Sequence, residues 1–330
     1  MLFKKNNSKV TLRDKIFAHL ESWRIYSLIW AGIISLSAAC IAQNGFPPIN
    51  IAIMVFFIPL FGWIAGLYAM DFIDRNLDKI QKPQRPIPSG KIKPLEAVVF
   101  AFIFAAMGFI LSLQLNPYCF ILVFVVGITI LLYSKVSKPR GLLANFNRGL
   151  VTFVTFYFGV FAITKNISPY IFILSLAFSI HDASSNIVGG IRDMDGDRKA
   201  GYRSTSIKYG VKKSFFISYF LTIAYAVLIV FAVIYYDILP YPNKFFIVFF
   251  VSILLLFIMY FFAFRSIDNV TQEKALIYHS SFVFERNILG CAFIFGVTSS
   301  LTIPQIILIS ASVLTGSLQL LIRKRYEIKN

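Results

Sequence analysis

Of 330 residues, 58% are hydrophobic and 14% charged, whereas a soluble domain carries about 25% charged and about 45–50% apolar residues. An ordinary water-soluble globule is therefore excluded. The net charge of +17 raises nucleic-acid binding, but the placement of the basic residues argues for a membrane and no nucleic acid.

Residues 1–24 form a basic, polar segment with no cleavable signal, because the apolar block that follows is already span-length. Apolar blocks then run at roughly 25–42, 50–70, 95–114, 117–134, 149–164, 169–190, 214–236, 245–264, 287–302 and 304–322. About 20 apolar residues carry a helix across the hydrocarbon, where it must satisfy its own backbone groups. Asn44-Gly45-Phe46-Pro47-Pro48, Asn116-Pro117, Asn166-Ile167-Ser168-Pro169 and Pro240-Tyr241-Pro242 punctuate the blocks as turns. Pro304 separates the last two, which otherwise read as one bent helix. Cys40, Cys119 and Cys291 lie far apart inside apolar blocks, so neither a disulfide framework nor a metal motif is expected.

With ten crossings, every Lys and Arg of the 32 except Lys165 and Lys244 falls on one side. Positive residues are retained on the cytoplasmic side. Both termini and the large polar loops are expected there, in a bacterial-type cytoplasmic membrane. The fold class is all-α, a polytopic membrane helix bundle of nine to ten transmembrane helices. One domain covers 25–322, and 323–330 is a basic cytoplasmic tail.

Among only 15 acids, two clusters stand out. The first holds Asp71, Asp74 and Asp78, whose offsets place them on one helical face. Carboxylates that close repel unless a cation sits between them. The second holds Asp193, Asp195 and Asp197. Asp182, Asn186 and Gly189 continue its stripe up into the sixth block, and polar groups at membrane depth usually face a cavity or a partner. Each cluster closes a span on the same side, so both can line one cavity mouth. Hard divalent cations prefer carboxylate oxygens, and magnesium typically bridges a few of them to substrate phosphates. The plainer reading, acids balancing Arg75, Arg192 and Arg198 in solvated loops, suits one cluster better than two. An EF-hand is disfavoured because its ligand spacing and closing Glu are missing.

Basic residues flank both clusters. Gln84 to Gly90 follows the first, with Arg85 as a diphosphate donor on a proline-stiffened loop. Arg198, Lys199 and Arg203 follow the second, and Tyr133, Lys135, Lys138 and Arg140 cap the fourth block. Arginine forks and lysine point charges are the usual phosphate partners.

These residues resemble the UbiA superfamily of intramembrane prenyltransferases, from about Arg24 to at least Lys213. Asp71, Asp74 and Asp78 match its first motif, which runs on into a full match at Arg85-Pro86-Ile87-Pro88-Ser89-Gly90. Asp193, Asp197, Arg198, Gly201, Ser204 and Thr205 match its second. Three departures are visible: Met70 stands where the family has Asn, Tyr133 and Lys138 are one residue further apart than the family's Tyr-x-x-x-Lys, and a tenth span exceeds the usual nine.

The resemblance implies a helix bundle around a central cavity open to lipid, and a magnesium-dependent enzyme. It would transfer an isoprenyl group from an isoprenyl diphosphate to an aromatic or lipophilic acceptor. Asp74, Asp78, Asp193 and Asp197, helped by Asp71 and Asp195, would hold Mg2+. Arg85, Lys138 and Arg198 would neutralise the leaving diphosphate, with Tyr133, Arg203, Asn186 and Asp182 completing the binding site. Asp74, Asp193, Lys138 and Arg198 would carry catalysis. His181 and Asp182 are candidates to orient or deprotonate the acceptor, or to bond helices together. The aromatic-rich spans would wall the isoprenyl chain against membrane lipid. A terpene cyclase on the same scaffold and, more remotely, a secondary transporter are the alternatives.

Overall fold

The structure is a computed structural model that describes residues 10–327; the Gln81 and Lys135 side chains and the chain ends, 1–9 and 328–330, lie outside the described residues. It is all helical, with no strand among the described residues. In chain order the helices are α1 (Leu12–Ser22), α2 (Ile25–Gln43), α3 (Ile49–Ile73), α4 (Arg75–Gln81), α5 (Pro94–Leu115), α6 (Pro117–Leu132), α7 (Leu142–Phe161), α8 (Pro169–Lys199), α9 (Thr205–Tyr235), α10 (Pro242–Arg265), α11 (Gln272–Val297), α12 (Thr302–Leu318) and the short α13 (Lys324–Glu327).

The turn signals become helix starts. Pro94, Pro117, Pro169 and Pro242 each open a helix at its first position, where a missing N–H costs nothing. Asn116 caps α6 by accepting from Cys119 N–H at 3.0 Å and ties that end to α7 by donating to the Phe161 carbonyl at 2.8 Å. Thr11 forms a capping box with Asp14 at the start of α1. The amino-terminal segment is thus partly a helix, docked on α3 and α5 through His19–Tyr68 (2.6 Å), Trp23–Tyr68 (2.8 Å) and Lys15–Glu96 (3.3 Å).

Among the described residues, eight helices are long and apolar enough to cross a membrane; α6 is a shorter apolar helix, and α7 carries Asn145, Asn147 and Arg148 in its first half. Each of the ten apolar blocks corresponds to one helix, so the last two are separate. Four boundaries move. α7 begins at Leu142 and α9 at Thr205, each ahead of its apolar block. α11 begins at Gln272 rather than near 287, because Glu285 and Arg286 are buried and His279 half-buried in the bundle instead of ending the span. α8 continues to Lys199, so the second acidic cluster sits on a helix and not in a loop.

α2 and α11 lie at the centre, while α5, α6, α9, α10 and α12 present residues such as Phe102, Phe124, Phe220, Phe250 and Ile306 outward to lipid. Lipid is as apolar as leucine, so close van der Waals contact and hydrogen bonds hold such helices together. Gly159 of α7 rests on the Ser35 carbonyl of α2, and Gly290 of α11 on Ile33 of α2; a Cβ at either would collide. Buried hydrogen bonds add specificity. Ser184, Ser218, Thr222 and Tyr260 join α8, α9 and α10. His181 pairs with Glu285 at 2.7 Å, and Glu285 also accepts from Ser252. His181 is fully buried in this network, bonds α8 to α11, and is not part of the cavity lining.

Candidate active site

At the end of the bundle where α4, α13 and the end of α8 meet, a cavity of about 210 Å³ opens between α2, α3, α7, α8 and α11. Its walls are built from three stretches of sequence. α3 ends at Ile73, and Asp74 bends the chain (φ −82°, ψ 0°) into α4. This break separates the first cluster. Asp74 meets Lys138, and Asp78 accepts two hydrogen bonds from Arg85 at 2.9 and 3.1 Å. Asp71 turns instead to Arg24 (2.6 Å) and Tyr326 (3.0 Å). It is buried but not part of the cavity lining, so the three acids do not share one face. Arg85 is fixed by a compact turn over 85–92, closed by Ser89 N–H to Arg85 O (2.9 Å) and Ile92 N–H to Pro86 O (3.1 Å).

The opposite wall is α8, where Asp193 and Asp197, one turn apart, both line the cavity with Asp182 and Asn186. Asp193 is held by Arg192 (2.6 and 3.0 Å) and Lys82 (3.1 Å). Asp195, Arg198 and Arg203 are exposed and not part of the lining; the helical period that aims Asp193 and Asp197 inward turns Asp195 and Arg198 away.

The third wall resolves the unusual Tyr133–Lys138 spacing. Tyr133–Ser137 is a π-helical turn, closed by the Lys138 N–H on the Tyr133 carbonyl. A π turn takes up one residue more than an α turn. The extra residue is thereby absorbed, and Tyr133 and Lys138 both line the cavity. Burial works against the Lys138 charge, but Asp74 outweighs it and holds the amine above the ordinary lysine range. Lys82 shows the opposite balance: burial pulls its amine below that range despite Asp193 and Glu327 beside it.

Sequence reasoning missed the far end of the chain. A second π turn, Gln319–Arg323, leads into α13 and folds it back over the cavity. Glu327 accepts from Tyr26 at 3.0 Å and lies 3.2 Å from Lys82, 3.3 Å from Arg192 and 3.5 Å from Arg85. Tyr326 stacks under the Arg85 and Arg24 guanidiniums. The tail charges are therefore not simply a solvated run, and no periodicity would have flagged Glu327.

Could these residues hold a metal? Among the described residues no three His, Cys, Asp or Glu side chains stand together as a ready-made cage. The donors are nevertheless hard carboxylate oxygens on facing walls, and Asp74, Asp78 and Asp193 are each paired with a cation. Magnesium is usually bound by one or two carboxylates and completed by substrate phosphates. The set fits an ion that arrives with a polyanion better than one bound by protein alone.

Apolar helices enclosing a cavity of interleaved acids and cations define a multi-pass integral membrane protein equipped for a charged headgroup. The chain belongs to the UbiA prenyltransferase family, whose model matches residues 30–282; it is a prenyltransferase. Its relatives include the digeranylgeranylglyceryl phosphate synthase of Methanocaldococcus jannaschii, 35% identical over 211 residues covering 64% of this chain and 74% of that one. The Pyrococcus furiosus enzyme of the same name is 30% identical over 196 residues, covering 59% and 70%. Among solved structures, one described as giving insights into digeranylgeranylglyceryl phosphate synthase in membranes is 31% identical, with a TM-score of 0.64, covering 86% of this chain and 99% of that one. A UbiA homologue from Archaeoglobus fulgidus, bound to DMAPP and Mg2+, shares the fold at 17% identity, with a TM-score of 0.61 and coverage of 83% and 99%.

Proposed function

We propose that this prenyltransferase moves an isoprenyl group from an isoprenyl diphosphate to a hydroxyl of a glycerophosphate lipid, at a site facing the cytoplasm. The observation that carries the donor half is the meeting of Asp74 and Asp78 with Asp193 and Asp197 across one cavity, among Lys82, Arg85 and Lys138. Those four carboxylates would hold magnesium, whose chemistry is to polarise the leaving diphosphate oxygen. Arg85 and Lys138 take up the charge of the departing group through charge-assisted hydrogen bonds. The bond from the allylic carbon to the diphosphate oxygen breaks with both electrons on oxygen. An ether bond then forms from the acceptor hydroxyl, whose proton passes to the departing diphosphate. Trp63, Leu67 and Met70 give the cavity an apolar side for the start of the chain.

The acceptor half is supported by the relatives. A synthase of digeranylgeranylglyceryl phosphate must join a prenyl group to a glyceryl phosphate, and two of the relatives that carry that name match at 30% and 35% identity. An acceptor of this kind is lipophilic but not aromatic. The basic loops at the cavity end support the cytoplasmic orientation. The test is to incubate purified protein with magnesium, isoprenyl diphosphates of several lengths, and either a prenylated glycerol phosphate, aromatic acids or no acceptor, reading products by mass. A di-ether of glycerol phosphate is expected. Prenylated aromatic acids alone, or a cyclised hydrocarbon without acceptor, would overturn the reading.

A further inference from the structure

The cavity has a second charged end that the donor does not need. Asp182 lies three turns before Asp193 on α8, about 16 Å further along the helix axis. There Arg148 of α7 and Arg286 of α11 share its single carboxylate, at 3.3 and 3.8 Å. Arg323, carried in by the π turn after α12, lines the same cavity, and electrostatically it repels Arg286. Its own hydrogen bonds go to neutral groups: Ser280 at 2.8 Å, Gln319 at 2.9 Å and the His279 ring. Glu285, next to Arg286, is turned away onto His181 and Ser252. Glu327 is already shared among Lys82, Arg85 and Arg192.

Arg148 and Arg286 thus share one carboxylate, and Arg323 makes no ion pair among the described residues, Glu327 and Asp193 acting on it only at longer range. Arg286 and Arg323 are only 3% and 1% exposed. Among the described residues, the Nε atoms of Arg148, Arg286 and Arg323 all lack a hydrogen-bond partner. A buried charge without a counter-ion costs several kcal/mol, and arginine forks suit phosphate. An anion would satisfy the donors left over.

We propose that Arg148, Arg286 and Arg323 form a second anion subsite that takes the phosphate of the acceptor, while the end bearing Asp74 and Asp193 takes the donor diphosphate. The proposal rests on the glycerophosphate reading above and assigns residues to it. It also gives the tenth span a function: α12 delivers Arg323.

The experiment uses the full chain in detergent with Arg148→Gln and Arg323→Gln, and Arg148→Lys as a conservative control. Rates are measured with geranylgeranyl diphosphate and magnesium, and with a prenylated glycerol phosphate or the same prenylated glycerol lacking phosphate. The Gln variants should raise KM for the phosphorylated acceptor by about tenfold to a hundredfold, the loss of one charge-assisted hydrogen bond. KM for the donor should stay within about twofold, the preference for the phosphorylated acceptor should vanish, and Arg148→Lys should restore part of it. Without magnesium, glycerol 3-phosphate should raise the unfolding temperature of the native chain but not of the Gln variants. Retained preference in both variants, or equal rises in donor and acceptor KM, would overturn the subsite. If the native chain uses neither acceptor, the glycerophosphate reading fails by itself. Stabilisation by glycerol 3-phosphate then decides the subsite alone, and its absence would overturn it.

Discussion

Asp182→Asn isolates the charge imbalance at the inner end of the cavity. The substitution keeps shape and leaves an oxygen for the Thr152 hydroxyl, now bonded at 3.1 Å. What disappears is, among the described residues, the one carboxylate that forms ion pairs with Arg148 and Arg286. Removing one partner of a buried ion pair costs about 3–5 kcal/mol, because the other charge stays buried and uncompensated. The retained Thr152 bond puts the expectation at the low end, about 3 kcal/mol, or about a 150-fold change in the folded-to-unfolded ratio. The assay is thermal unfolding in detergent, where a fall of about 5–10 °C is expected. A second substitution, Asp182→Asn with Arg286→Met, removes one of the orphaned cations and should recover about half of the loss. A single variant within about 0.5 kcal/mol of the native chain, or a double variant no better than the single, would refute the reasoning.

Glu327→Gln releases Lys82, Arg85 and Arg192 from a competing carboxylate, so KM for the isoprenyl diphosphate should fall by about threefold to tenfold in initial-rate assays. A rise in KM would instead make Glu327 part of the binding wall. Gly159→Ala drives a methyl group into the Ser35 backbone carbonyl and should cost about 1–3 kcal/mol of stability; an unchanged unfolding midpoint would contradict the close α2–α7 contact. Chelating magnesium should stop diphosphate release while the chain keeps its helical circular dichroism, because no described cluster of ligands holds the fold together through a metal. Loss of helix on chelation would count against that.

Much of the bundle was legible because lipid imposes a simple rule. A span is a long apolar run with its turns marked by Asn and Pro, and the ten runs reappear as α2, α3 and α5 through α12. The rule fails where a helix faces the cavity instead of lipid. α11 carries His279, Glu285 and Arg286 inside the bundle, so half of it was invisible to an apolar count. The acids were found as clusters, but the break at Asp74 splits the first, sending Asp71 to Arg24 and Tyr326. On α8 the helical period sorts Asp193 and Asp197 inward and Asp195 and Arg198 outward. The π turn that brings Lys138 beside Tyr133 is a local choice of backbone hydrogen bonds, and no composition announces it. Glu327 was hidden most completely. Its partners Tyr26, Lys82 and Arg192 lie at least 135 residues away in sequence, and a short charged tail ordinarily reads as solvated.

The most direct measurement of the central claim is magnesium-dependent diphosphate release by the native chain, by Asp74→Ala and by Asp193→Ala, each confirmed as folded. If the two acidic walls grip one diphosphate, either substitution alone reduces release by at least about a hundredfold, as expected when stabilisation of the leaving charge is lost. Turnover retained in both variants would contradict the account.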